Sequence, residues 1–164
     1  MGKLLTKEIK SLIGREVTYT AREELGRASI RYYALAVGDL NPLYLNDAFA
    51  GANGYPSVIA PPTLICETNQ FIGEVRPLTS HGHDWGISIE GCRLIRGGNE
   101  YHFERPALPT DRISVRWRID DITERRAKSG LPMLIVTSVG TYTSHAGDLI
   151  ASNTETLIYQ KVSQ

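Results

Sequence analysis

Asp39 and Asn41 stand in the run Gly38-Asp39-Leu40-Asn41-Pro42-Leu43-Tyr44, which sets a carboxylate, an amide and a phenol close together along the chain. A carboxylate can take or give a proton, an amide can hold a water, and a phenol can donate a hydrogen bond. The bland reading stands beside this one. Asp, Asn and Pro also cluster in turns, where they bond their own backbone, and Asp-x-Asn-Pro alone is more often turn chemistry than catalysis. A second segment, Ala60-Pro61-Pro62-Thr63, precedes an apolar helical stripe, and proline suits the first turn of a helix.

The elements that must position these residues are legible by period. Ile30, Tyr33, Ala34 and Val37 repeat at helical spacing, and Gly38 falls where a left-handed C-terminal cap belongs, so Asp39 and Asn41 sit in a Pro-containing turn at a helix exit. Leu64, Thr68, Phe71, Ile72 and Val75 predict a central helix begun by Pro61-Pro62-Thr63 and closed before Pro77. Ile87 and Ile89 alternate with polar neighbours and lead to Arg96-Gly97-Gly98-Asn99, a turn composition that predicts a hairpin returning through Tyr101 to Arg105. Ile113, Val115, Trp117 and Ile119 alternate with Ser114, Arg116, Arg118 and Asp120, the period of a half-buried strand. Met133 to Tyr142 is a β-branched run, Ala146-Gly147-Asp148 a turn, and Leu149 to Tyr159 a strand returning beside it.

Helices and loops in the first third followed by long antiparallel strands give an α+β architecture, a curved sheet covering its apolar face with one helix. Such a sheet leaves an edge strand, and pairing edges across a twofold axis buries it, so a dimer is expected.

At 164 residues the chain fits a single domain, 1–164. Eighteen basic and eighteen acidic residues cancel, so no net field draws it to nucleic acid or an anionic membrane, and small or locally recognised ligands are favoured. Cys66 and Cys92 lack Cys-x-x-Cys spacing and are expected as buried reduced thiols. The first residues lack the apolar run of a signal peptide and no segment has the length of a membrane span, which points to the cytoplasm. Met1-Gly2 with Thr6 formally fits a myristoylation pattern, too short to carry weight. Leu5, Ile9, Leu12 and Ile13 predict a short amphipathic helix docking on the domain.

Residues 30 to 64 resemble the first half of the MaoC-type (R)-specific enoyl-thioester hydratase and 3-hydroxyacyl-thioester dehydratase family, a branch of the hot-dog superfamily. The nearest variant is the FAS1-like dehydratase domain, which includes subunits of mycobacterial heterodimeric dehydratases. Tyr101-His102-Phe103-Glu104-Arg105-Pro106 and Thr110-Asp111 match that branch's strand, Arg-Pro loop and Asp pattern. The resemblance implies a hot-dog fold, a curved antiparallel sheet wrapped around a central helix, in a homodimer or a heterodimer with another hot-dog subunit. It implies reversible hydration of a trans-2-enoyl thioester of coenzyme A or acyl carrier protein. The carrier arrives as part of the substrate, and no metal or other cofactor is called for.

Dehydration needs a base at C2, an acid for the leaving hydroxyl, and a donor for enolate charge on the thioester oxygen. In the family the first two come from an Asp and a His five positions later, and the third from a backbone N–H in a His-Gly pair at the start of the central helix. Asp39 matches the Asp and Asn41 the Asn that helps hold the water. Tyr44 stands in place of His, and Pro61-Pro62 in place of His-Gly. A phenol with pKa near 10 is ionised to roughly one part in a thousand at pH 7, whereas an imidazole near 6.5 works in both directions. Proline has no N–H, so Pro62 can line the substrate site without serving as donor, and Thr63 supplies the remaining N–H. In this branch some subunits bind the acyl chain while a partner supplies the Asp and His, a role these departures fit; the competing reading is a self-sufficient hydratase in which Asp39, Asn41 and Tyr44 make a modified site.

Two other function classes remain open. Glu67 lies on the predicted central helix, from which several hot-dog thioesterases present a carboxylate, and a non-catalytic structural subunit would bind no thioester. His81-Gly82-His83-Asp84 could approach a metal, although a polar loop is the simpler reading. His102 and His145 are expected to bond into the sheet. Glu124 to Gly130 joins two strands, and its cations could meet coenzyme A phosphates or an acidic carrier, a solvated hairpin tip being the plainer reading. No Walker loop or dinucleotide fingerprint is present.

Overall fold

Strict alternation of apolar and polar residues after residue 113 builds the centre of a sheet. In a computed structural model, which describes residues 3–67 and 85–162, five strands form one antiparallel sheet: β1 (Glu16–Thr20), β2 (Cys92–Phe103), β3 (Ser114–Arg126), β4 (Pro132–Thr143) and β5 (Leu149–Lys161). Their spatial order is β1-β3-β4-β5-β2. Val115 opposes Tyr142, Trp117 opposes Gly140 and Ile119 opposes Ser138, while Tyr142 opposes Ala151 and Gly140 opposes Asn153. The register therefore puts Val115, Trp117, Ile119, Tyr142, Ala151 and Asn153 on one buried face. Trp85 covers this face and donates from its indole N–H to Ser138 Oγ at 2.8 Å.

Short helices lie ahead of the sheet's long strands: α1 (Lys7–Lys10), α2 (Arg27–Val37), α3 (Pro42–Leu45), α4 (Asp47–Ala52) and α5 (Leu64–Glu67). Ile30 and Ala34 anchor α2 with no exposure at all. The predicted central helix begins with α5, and its remainder lies outside the described residues. Among the described residues no helix is long and apolar enough to cross a membrane.

Several expectations are corrected. Arg96 to Asn99 is no hairpin turn: β2 runs unbroken from Cys92 to Phe103 beside β5, and the register slips between Arg96 and Gly98. A Cβ on Gly97 would stand 3.1 Å from the Thr156 carbonyl oxygen and 3.0 Å from its methyl, so the glycine serves close strand approach at a bulge. Ile87 and Ile89 lie outside any strand. The first third contains β1, whose short edge strand shows only partial burial and so carries a weak period. Val37 is 56% exposed, and Cys66 and Cys92 are thiols of intermediate exposure. His102 stands out of the sheet, 3.5 Å from Glu100. Arg125 and Arg126 extend β3, leaving the tip at Ala127 to Leu131.

Candidate active site

The exit of α2 is shaped by Gly38, whose left-handed backbone (φ 74°, ψ 16°) costs glycine little. The Gly38 N–H donates to the Leu35 carbonyl, and the Asp39 N–H to the Ala34 carbonyl at 2.9 Å, a double cap that ends the helix and turns the chain. Asp39 is thereby presented at the surface. Its Oδ1 accepts from the Asn41 N–H at 3.2 Å. Asn41 Oδ1 in turn accepts from the Leu43 N–H at 3.0 Å, capping α3 with Pro42 in its first turn. Both side chains thus do turn work, as the plain reading of Asp-x-Asn-Pro requires. Neither is consumed by it, because among the described residues the second carboxylate oxygen and the amide nitrogen remain for other partners.

Tyr44 follows on α3 and is 8% exposed. Burial, and then the negative charge of Asp39, push its phenol above the usual tyrosine range. That coupling places the Asp39 carboxylate in the field of the phenol. The Leu43 carbonyl accepts from Ile59 N–H at 3.0 Å, and the Ala107 carbonyl accepts from Ala60 N–H at 2.8 Å, so α3, the Pro61-Pro62 segment and the loop after β2 are laced together. Between them lies a cleft of about 260 Å³ walled by Tyr44, Tyr55, Ile59, Pro62, Phe103 and Ile150, with Arg105 and Glu104 also on its lining.

Of the residues singled out by sequence, Tyr44 and Pro62 line this cleft, while Asp39, Asn41 and Thr63 do not. Thr63 is exposed, and its hydroxyl lies 2.8 Å from the Tyr33 phenol. Tyr33 was legible only as a member of an apolar stripe, and nothing in its spacing signals this contact. Glu67's side chain and the His81 to Asp84 loop lie outside the described residues. Among the described residues no cluster of three or more His, Cys, Asp or Glu is placed to hold a metal.

The loop that closes the cleft is clamped. Arg105 donates to both carboxylate oxygens of Asp111, at 2.7 and 3.0 Å, and Asp111 also accepts from the Leu108 N–H at 2.7 Å. Burial raises the Asp111 pKa, but the hydrogen bonds and charge of Arg105, with the Leu108 N–H, outweigh it and hold the carboxyl below its usual range.

Residues 11–153 match the family model described as FAS1-like, dehydratase domain region. A UPF0336 protein of Streptomyces coelicolor is 38% identical over 114 residues, 69% of this chain and 72% of its own length. A protein of Thermomonospora curvata named "Probable enoyl-CoA hydratase alpha subunit" is 25% identical over 163 residues, 92% of this chain and 50% of its own length. Among solved structures, a chain of the ChsH1–ChsH2 complex from Mycobacterium tuberculosis superposes with a TM-score of 0.74 at 20% identity, covering 95% of this chain and 94% of that one. A chain of the HadBC (3R-hydroxyacyl-ACP dehydratase) complex from the same organism does so with a TM-score of 0.63 at 21% identity, covering 88% and 96%. These likenesses show the hot-dog fold. The chain belongs to the FAS1-like dehydratase domain family.

Proposed function

We propose that this chain takes part in the reversible addition of water to a trans-2-enoyl thioester of coenzyme A or acyl carrier protein, giving the (R)-3-hydroxyacyl thioester, as the acyl-binding subunit of a two-subunit dehydratase. The observation that carries this reading is Tyr44. It lines an apolar cleft with Pro62 and lies in the field of Asp39, so this chain pairs an acyl-sized site with an acid–base set lacking imidazole.

In the hydration direction the water oxygen bonds to C3, C2 gains a proton, and the charge passing through the thioester oxygen must be met by a donor. Asp39 is the group of this chain that takes the water's proton. The Asn41 amide nitrogen, whose companion oxygen caps α3, orients that water. Tyr44 stays protonated and serves as a donor, and the Thr63 N–H is the oxyanion donor left by the two prolines. The chemistry is C–O bond formation coupled to proton transfer and asks for no metal or redox cofactor.

Two observations support a partner. β2 pairs only with β5 among the described residues, leaving a long sheet edge with Leu94 and Phe103 exposed. The structurally similar ChsH1–ChsH2 and HadBC chains come from two-component complexes. The test is hydration of crotonyl-coenzyme A by the purified chain alone and by the chain co-expressed with a hot-dog protein carrying Asp-x-x-x-x-His. Slow turnover alone and fast turnover together is the expected result. Fast turnover by the isolated chain would replace the subunit role with a self-sufficient hydratase, and absence of both turnover and thioester binding would overturn the reading.

A further inference from the structure

The cleft beside Tyr44 has a far wall that cannot easily yield. Phe103, which ends β2, stacks on Tyr101 with ring centroids 5.6 Å apart and planes at 15°. Tyr101 is held in turn. The Cys66 thiol donates to its hydroxyl at 2.9 Å, and its ring packs at 6.3 Å against Tyr142, which is 1% exposed in the core. The wall therefore passes from the cleft through two aromatic layers into the sheet, and a helical residue locks the middle layer. Across from it, Tyr55, Ile59 and Pro62 belong to a segment held at its start by Tyr55 N–H to Ala50 and at its middle by Ile59 N–H to Leu43 and Ala60 N–H to Ala107.

A cleft of about 260 Å³ is small beside the 300–1,000 Å³ usual for ligand sites. At roughly 30 Å³ of liquid volume for a water-sized group, it holds about nine non-hydrogen atoms. An acyl chain of about eight carbons fills it.

We propose that this cleft is a size-limited acyl site for unbranched enoyl groups of up to about eight carbons, with Phe103 as the residue that sets the limit. The assignment rests on the hydration reading above. Tyr101 acts as a positioning residue, since it touches Phe103 and not the acyl chain. A longer chain seats its thioester only by displacing a braced ring, and a tail left in water gains none of the roughly 0.8 kcal/mol, close to fourfold, that each buried methylene supplies.

The experiment measures kcat/KM for trans-2-enoyl-coenzyme A of 4, 8, 12 and 16 carbons with the co-expressed complex, and binding of the same series by calorimetry. The expected wild-type profile drops at least tenfold between 8 and 12 carbons. Phe103→Ala should raise the 12-to-8 ratio at least tenfold, and the ring sits 43% exposed at a sheet edge where the fold tolerates its loss. Tyr101→Phe, which keeps the stacking and removes the thiol bond, should make the drop shallower. Wild-type use of 12 and 16 carbons as well as 4, or a Phe103→Ala variant that scales every chain length alike, overturns the assignment while leaving hydration intact. No binding or turnover of any member sinks the hydration reading, and this assignment falls with it.

Discussion

The Tyr33 phenol and the Thr63 hydroxyl meet at 2.8 Å, tying the helix whose exit presents Asp39 to the segment that begins α5. In the proposed reaction, proton transfer and oxyanion stabilisation come from these two elements, so the tie sets the spacing between them. Tyr33→Phe and Thr63→Val should each lower kcat about tenfold in the active assembly with little change in KM. The double variant should be no worse than either single one, as a shared interaction requires. A double-mutant cycle in kcat checks this, and additive losses would mean that the hydroxyls act separately.

The Arg105 and Asp111 pair should govern acid stability. Asp111 is 5% exposed and its carboxyl is held below its usual range, so the folded state binds this proton less readily than the unfolded chain. Its contribution is therefore fully present above the unfolded pKa, near 3.9, and is lost as pH falls through the depressed folded value. Asp111→Asn should cost about 3 kcal/mol at pH 7, the lower range for breaking a buried pair. It should also flatten the decline in unfolding midpoint below about pH 4, read by urea titration at each pH. An unchanged acid limb in the variant would assign that limb to other carboxylates.

What the sequence made legible follows from how local each signal is. The buried faces of β3, β4 and β5 are written as period-two alternation, and all of Ile113, Val115, Trp117 and Ile119 are buried as that period demands. Gly38 as cap and Asp39 with Asn41 as turn residues are equally local, since each bonds backbone within a few positions. The Gly97-Gly98 pair was misread because a bulge and a turn share one composition, and only the opposing Thr156 and Ile158 distinguish them. The Tyr33 contact with Thr63 spans thirty residues, and no local pattern encodes it. The cleft is likewise assembled from three separated segments.

Gly140 is the seat of Trp117. A Cβ at position 140 would lie 3.0 Å from three atoms of the indole ring, which also packs edge-on against Tyr142 at 6.2 Å. Gly140→Ala should therefore destabilise by about 1–3 kcal/mol through overpacking, although alanine suits a strand better than glycine. Chemical denaturation measures the loss, and a shift in tryptophan emission should report the displaced ring. A variant as stable as the wild type would show that Trp117 has a second rotamer at low cost.

Restoring imidazole to this site tests the chemistry directly. Burial and the Asp39 charge keep the Tyr44 phenol protonated at neutral pH, so in the proposed reaction of the isolated chain the proton transfers fall mainly on Asp39. Tyr44→His would place beside it a group titrating near 6.5, and general acid–base catalysis contributes about 10²–10⁴-fold. The isolated variant should hydrate crotonyl-coenzyme A on the order of 100-fold faster than the wild-type chain. Its pH profile should gain a limb between pH 6 and 7.5 that the wild type lacks. Adding Asp39→Asn should abolish the gain, since the carboxylate is the other half of the pair, and circular dichroism should show both variants folded. A gain that survives Asp39→Asn would move the base away from Asp39. No gain in a folded Tyr44→His chain that still binds the thioester would place the chemistry wholly on the partner subunit.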